Sequence, residues 1–155
     1  MSSRRTARLS REMKNFESHP PWGITCSADK DAGLDILHVK LCGPRDTPYE
    51  GGVFKLVIKV PISYPLEPPH VKFVTPIYHP NIDNAGRICM NMLLMPPHGS
   101  WSPTITIETL LISIQTLLAI PNGDDPLMMD VGMEYKFRIN QFKESARKYT
   151  KKYAT

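Results

Sequence analysis

Fifteen of the 155 residues are prolines, and their placement decides which stretches of this chain can carry a hydrogen-bonded ladder. Proline holds φ near about −65° and has no amide hydrogen, so it cannot sit inside a helix or a central strand. His19-Pro20-Pro21 therefore stops whatever precedes it, because the residue before a proline also avoids helical backbone. Four prolines between Pro61 and Pro69 make that segment a rigid loop. Pro121 ends a second helical stretch. Beyond it, Asn122-Gly123-Asp124-Asp125-Pro126 reads as a turn into a third helix, with Asp125 as N-cap and Pro126 at the first helical position.

Between these stops the apolar periodicity is clear. From Ser3 to Ser18, Leu9, Met13 and Phe16 recur on one face with arginines around the other, which predicts an amphipathic helix docked on a sheet. Strands are predicted at Ile24–Ser27, Ile36–Cys42, Val53–Val60 and Val71–Val74. Leu37, Val39 and Leu41 alternate with His38 and Lys40, and Phe54, Leu56, Ile58 and Val60 share one face opposite Lys55 and Lys59. Their short connections imply an antiparallel meander. Thr106–Ile120 is the central core helix, with Thr106 as N-cap and Ile107, Leu110, Leu111, Ile114, Leu117 and Leu118 on one broad face. A fourth helix runs from about Asn140 to Tyr153. Residues 1–155 thus read as a single α+β domain: an N-terminal helix, a four-stranded antiparallel sheet, a shaped loop and three further helices.

The charge of +4 concentrates at the two ends, in Arg4, Arg5, Arg8, Arg11 and Lys14, then Lys143, Arg147, Lys148, Lys151 and Lys152. Neither cluster carries a zinc or glycine-rich nucleic-acid motif, which favours contact with an acidic protein surface over nucleic acid. No apolar run approaches the roughly 20 residues of a membrane span, and Met1-Ser2-Ser3-Arg4-Arg5 does not open a signal peptide. The expectation is a soluble intracellular protein. Cys26, Cys42 and Cys89 are odd in number and widely spaced, which fits neither disulfides nor a zinc site. Met90, Met92 and Met95 are read as packing residues, not as a soft-metal site, and no metal is expected.

One stretch carries chemistry. Tyr78-His79-Pro80-Asn81-Ile82-Asp83-Asn84-Ala85-Gly86-Arg87-Ile88-Cys89 sets a cysteine behind a stiff, polar, turn-forming approach. Thiolate is a good nucleophile and a good leaving group, so an exposed Cys89 suits an acyl group carried as a thioester, with a nearby asparagine amide to stabilise an oxyanion. A cysteine hydrolase would need a histidine oriented beside the thiol. The histidines at 19, 38, 70, 79 and 98 offer no such second motif.

His79-Pro80-Asn81 followed eight residues later by Cys89 resembles the active-site signature of ubiquitin-conjugating enzymes. Tyr64-Pro65-Leu66-Glu67-Pro68-Pro69, Trp101-Ser102-Pro103 and Asp124-Asp125-Pro126-Leu127 extend the likeness in the family's order over nearly the whole chain. The resemblance implies the ubiquitin-conjugating (UBC) fold. It also implies that ubiquitin passes from an activating enzyme to Cys89 and then, with a RING-type ligase, to a lysine of a target protein. On this basis Cys89 is the thioester carrier, and Asn81 supports the tetrahedral intermediate directly or by ordering the loop. Asp125 orients the lysine amine and favours loss of its proton. Tyr78, His79, Pro80 and Asn122 shape the active-site loop, and Arg5, Arg8, Leu66, Pro103 and Thr104 form the surface shared by activating enzyme and ligase. ATP is used upstream, so no bound cofactor is expected; the expected location is cytoplasm and nucleus.

The connection from Cys89 to Trp101 is longer than in many family members and resembles the type T branch, linked to the Fanconi anaemia DNA-repair pathway. Three residues depart from common family usage: Leu66 for phenylalanine, Asn91 for aspartate and Gly123 for proline. Gly123 is expected to free φ and loosen its loop. The rivals are a non-catalytic ubiquitin-binding module, which would lack the cysteine, and a conjugating enzyme for another ubiquitin-like modifier.

Overall fold

The computed structural model describes residues 3–155. Helix α1 spans Ser3–Ser18, followed by strands β1 Ile24–Asp29, β2 Gly33–Cys42, β3 Val53–Lys59 and β4 His70–Phe73. After a loop and a short 3-10 turn at Asn91–Leu93 come α2 Ile107–Ala119, α3 Met129–Phe137 and α4 Ile139–Tyr153. The strands lie side by side in chain order and every neighbouring pair is antiparallel. This is the expected meander, with β1 and β2 each longer than expected.

Register follows from burial. Leu37 pairs with Ile58, Val39 with Leu56 and Leu41 with Phe54, while Phe73 and Val71 continue the rows on β4. Side chains alternate across a strand, so these pairings put all eight residues on one buried face. Leu110, Leu111, Ile114 and Leu118 of α2 join the same core, as do Leu9 and Phe16 of α1 and Phe142 and Ala146 of α4. Each such side chain contributes about 1.5–3 kcal/mol relative to exposure. Thr106 caps α2 as expected, its hydroxyl accepting from the Thr109 amide. Met90 and Met92 pack against the core, but Met95 is exposed and does not.

Two expectations fail for the same physical reason: long-range hydrogen bonds outbid the local pattern. α3 does not begin at Asp125 and Pro126. The carbonyl of Pro80 accepts from the amides of Leu127 and Met128 at 2.8 and 2.9 Å, which holds Met128 extended and delays the helix until Met129. Pro126 instead packs on α3, where only a glycine at 132 leaves room for its ring. Arg5, expected on a docking surface, is buried, at 2% exposure. Its Nε donates to the Pro61 carbonyl at 2.9 Å and its Nη2 to Val60 at 2.8 Å, with Asp35 also 2.9 Å away. It clamps α1 to the end of β3.

Gly86 docks the active-site loop on β4. Its φ is +84°, its carbonyl accepts from the Phe73 amide at 2.9 Å, and an added Cβ would lie 2.0 Å from the Phe73 carbonyl oxygen. Gly51 has a similar φ of +86° with nothing within 4 Å of an added Cβ. Gly51→Ala should therefore cost only the left-handed backbone penalty of about 1–2 kcal/mol. Gly86→Ala adds a backbone clash and should cost at least about twice that. Denaturant midpoints of the two variants check this; equal losses would mean that the loop yields freely at Gly86.

Candidate active site

The loop that carries Cys89 is wound on itself before it presents the thiol. Asp83 accepts from the amides of Ala85 and Arg87 at 3.0 and 2.9 Å and from the Arg87 guanidinium at 2.7 Å, closing a tight turn. The Cys89 amide then donates to the Asn81 carbonyl at 2.9 Å. The cysteine is left half-buried, neither sealed in the core nor free on a tip.

His79 and Asn81, on the approach to the cysteine, are buried, each about 1% exposed. His79 Nδ1 accepts from the Asn81 amide at 2.9 Å, so Nε2 carries the proton and donates to the Leu117 carbonyl at 2.9 Å. Both ring nitrogens are thus spoken for. Burial lowers the imidazole's pKa to about 4, so it stays neutral. His79 is a fastening between α2 and the active-site loop, and a hydrolase-type pairing with Cys89 is excluded by these bonds.

Asn81 uses its whole amide on the facing loop. Nδ2 donates to the carbonyls of Asn122 and Asp125 at 3.0 and 3.3 Å, and Oδ1 accepts from the Asn122 amide at 2.9 Å. Together with the Pro80 carbonyl, this side chain holds residues 122–128 against residues 80–81. In this state both amide hydrogens of Asn81 are engaged by the facing loop and none is left for an oxyanion. Asp125 is exposed. Its carboxylate is near enough for its charge to matter at Cys89, whose pKa is raised by burial first and by Asp125 second.

Tyr78 does not line the cleft. Its hydroxyl donates to Glu134 at 2.7 Å, its ring lies against Phe142 and Tyr149, and its carbonyl accepts from the Tyr49 hydroxyl at 2.6 Å. Burial, with Glu134 second, pushes the hydroxyl up to about 12 and keeps it a donor. Tyr49 and Glu134 went unnoticed in the sequence. An acidic residue on the apolar side of a short helix, beside Val131, was the one available signal for Glu134.

Of the surface residues, Leu66 and Pro103-Thr104 lie on two loops beside Arg8 of α1. Arg8 donates to the carbonyls of Pro103 and, at 2.8 Å, Ile105, and lies over the Tyr64 ring. Glu12 accepts from the Tyr64 hydroxyl at 2.5 Å and the Ile107 amide at 2.8 Å, while Trp101 Nε1 donates to the Pro65 carbonyl at 3.1 Å. These bonds present Leu66, 68% exposed, beside exposed Pro103 and Thr104. Arg5 lines the same groove as Arg8, Tyr64 and Leu66 but is itself buried there. Among the described residues there is no metal-type cluster and no helix long and apolar enough to cross a membrane.

A histidine held below its ordinary value of 6.5 stabilises the fold fully above that value and progressively less as pH falls toward about 4, since the unfolded chain then binds the extra proton. The slope is at most about 1.4 kcal/mol per pH unit. His79→Gln should be less stable than the parent at pH 7, and the gap should shrink by up to about 3 kcal/mol by pH 4. Paired urea titrations at several pH values measure this; a constant gap would mean that His79 titrates normally.

The family model described as "Ubiquitin-conjugating enzyme" matches residues 8–150. Ubiquitin-conjugating enzyme E2 T of Homo sapiens is 51% identical over 150 residues, covering 97% of this chain and 76% of that protein. The E2 T of Danio rerio is 50% identical over the same length, with 97% and 77% covered. Ubiquitin-conjugating enzyme E2 N of Drosophila melanogaster is 44% identical over 147 residues, with 95% and 94% covered. With the meander, the cysteine loop and these matches in agreement, the chain belongs to the ubiquitin-conjugating enzyme family, whose members act with ubiquitin, an activating enzyme and a ligase.

Proposed function

We propose that Cys89 is the residue on which this enzyme carries ubiquitin. Its thiol loses a proton and attacks the carbonyl of the thioester borne by the activating enzyme, whose thiolate leaves. The amine of a target lysine then attacks the new thioester, and the Cys89 thiolate departs as the amide forms. The supporting observation is the half-buried thiol beneath a loop fastened at Asn81 and Pro80. A thiol raised in pKa by burial and by Asp125 is poorly suited to attacking an unactivated amide, but adequate for exchange between thioesters of similar energy. What the site adds is position, with little demand for a strong base.

In this reading Asp125 orients the incoming amine and accepts its proton as the bond forms, and Asn81 keeps Asp125 in place. The greater similarity to E2 T than to E2 N proteins supports placing the activity in the type T branch, hence in DNA repair and in the nucleus as well as the cytoplasm. Loss of the protein should then sensitise its cells to DNA crosslinkers.

Charging with activating enzyme, ATP and ubiquitin should give a thiol-sensitive adduct, and Cys89→Ala should give none; equal labile charging of that variant would move the carrier elsewhere. Asn81→Ala should lose about 1–3 kcal/mol of stability along with its discharge rate, because it strips partners from Asn122. Asp125→Asn should fold as well as the parent, since Asp125 caps no helix. It should also discharge to lysine about tenfold slower with charging nearly intact. Removing its charge should shift alkylation of Cys89 to lower pH, and an unmoved alkylation profile would separate Asp125 from the thiol.

A further inference from the structure

α3 buries Val131, Gly132 and Glu134 and turns the opposite face to solvent. On that face Met129, Met133 and Phe137 recur every four residues, 65%, 49% and 67% exposed. Residues four apart on a helix lie one above the other, so the three form a continuous stripe about 12 Å long. Leu127 and Ile139, also exposed, extend it at either end. Scattered exposed apolar residues need no explanation, but a contiguous stripe does. Leu127 also ties it to the loop that carries Cys89, since its amide is one of the two held by the Pro80 carbonyl.

The stripe is electrically polar along its length. Asp125, whose charge reaches Cys89, and Asp130, in the first turn of α3, stand at its N-terminal end, while Arg138, the C-cap of α3, and Lys143 stand at the far end. None of these four makes an ion pair among the described residues. A ligand matching this pattern carries a positive group toward Cys89, apolar side chains along α3 and acidic groups beyond them. Resting on the function proposed above, we infer that the exposed face of α3 docks the target protein through a segment in which the modified lysine is followed in space by apolar and then acidic residues. Lysine itself supplies the positive end, which places its amine at Asp125. A second copy of this chain would match the same charges in antiparallel array, but would cover the cleft from which ubiquitin must be discharged.

The test uses the ubiquitin-charged enzyme in single turnover with three acceptors at equal concentration. These are free lysine, synthetic peptides bearing one lysine beside a leucine-rich and then a glutamate-rich stretch in either chain direction, and companion peptides with serine for leucine. One leucine peptide should discharge the enzyme about tenfold faster than its serine companion, the effect of burying a single leucine-sized side chain. Met133→Ser combined with Phe137→Ser should abolish that difference while leaving charging, melting temperature and discharge to free lysine unchanged. Equal rates for leucine and serine peptides, or a preference that survives in the variant, would overturn the docking surface and leave the thioester function standing. So would a concentration-dependent dimer of the parent, seen by sedimentation and lost in the variant. Failure of charging at Cys89 would remove both proposals.

Discussion

The active site depends on a clamp between two stretches distant in sequence. One carbonyl and one side-chain amide, from Pro80 and Asn81, supply five hydrogen bonds to the chain between Asn122 and Met128. Each contributes a net of only about 0.5–1.5 kcal/mol, but leaving a buried partner unpaired costs more, so the clamp is hard to open piecemeal. Its far side is fastened in turn to the core. His79 orients Asn81 through the amide and bonds the Leu117 carbonyl, one of the last four carbonyls of α2 that no helical amide can reach. A single chain of bonds thus runs from the central helix through His79 and Asn81 to the loop bearing Asp125.

That chain explains why the thiol is left unassisted. The one histidine of the loop is consumed in positioning, and burial keeps it neutral. The nearest charge that acts on Cys89 is negative and raises its pKa. A protease would be crippled by this arrangement. A carrier of an already activated acyl group benefits, because a protonated resting thiol reacts slowly with stray electrophiles and its thioester faces no free histidine that would activate water. In the function proposed above, Asp125 is the group that orients the incoming amine and takes its proton.

The central helix and the sheet were legible in the sequence because their signals are local. Thr106, the broad apolar face of α2 and the period-two alternation of β2 and β3 each depend on neighbours within a few residues. β2 starts at Gly33, earlier than its alternation shows, because the hairpin with β1 pairs Asp29 with Gly33 across a register shift. Asp125 was misread because the forces on it come from far along the chain. Asp125-Pro126 has the chemistry of a helix start, yet the Pro80 carbonyl competes for the next two amides and wins. Arg5 lies four residues before Leu9 on the buried face of α1, a local signal that its charge obscured, and its bonds to Asp35, Val60 and Pro61 satisfy it there. Asn81 was recognised by its motif, but the partners that make it a loop fastener lie about forty residues away.

Gly123 shows where the stiffness of the loop over Cys89 originates. A glycine in place of the family's usual proline suggested a loosened backbone. Its φ, however, lies outside the left-handed region, so the position does not use glycine's freedom. What it uses is the missing side chain: an added Cβ would stand 3.0 Å from both the Tyr135 ring and the Lys136 Cγ. Glycine lets α3 close on the loop, and the adjacent Asp124 then pairs with Lys136 at 3.0 Å. That exposed pair is worth little by itself. The restraint that a proline would impose on φ is replaced here by packing against α3 on one side and by the Asn81 clamp on the other. The helix that presents the apolar stripe and the loop that presents Asp125 are therefore held as one surface.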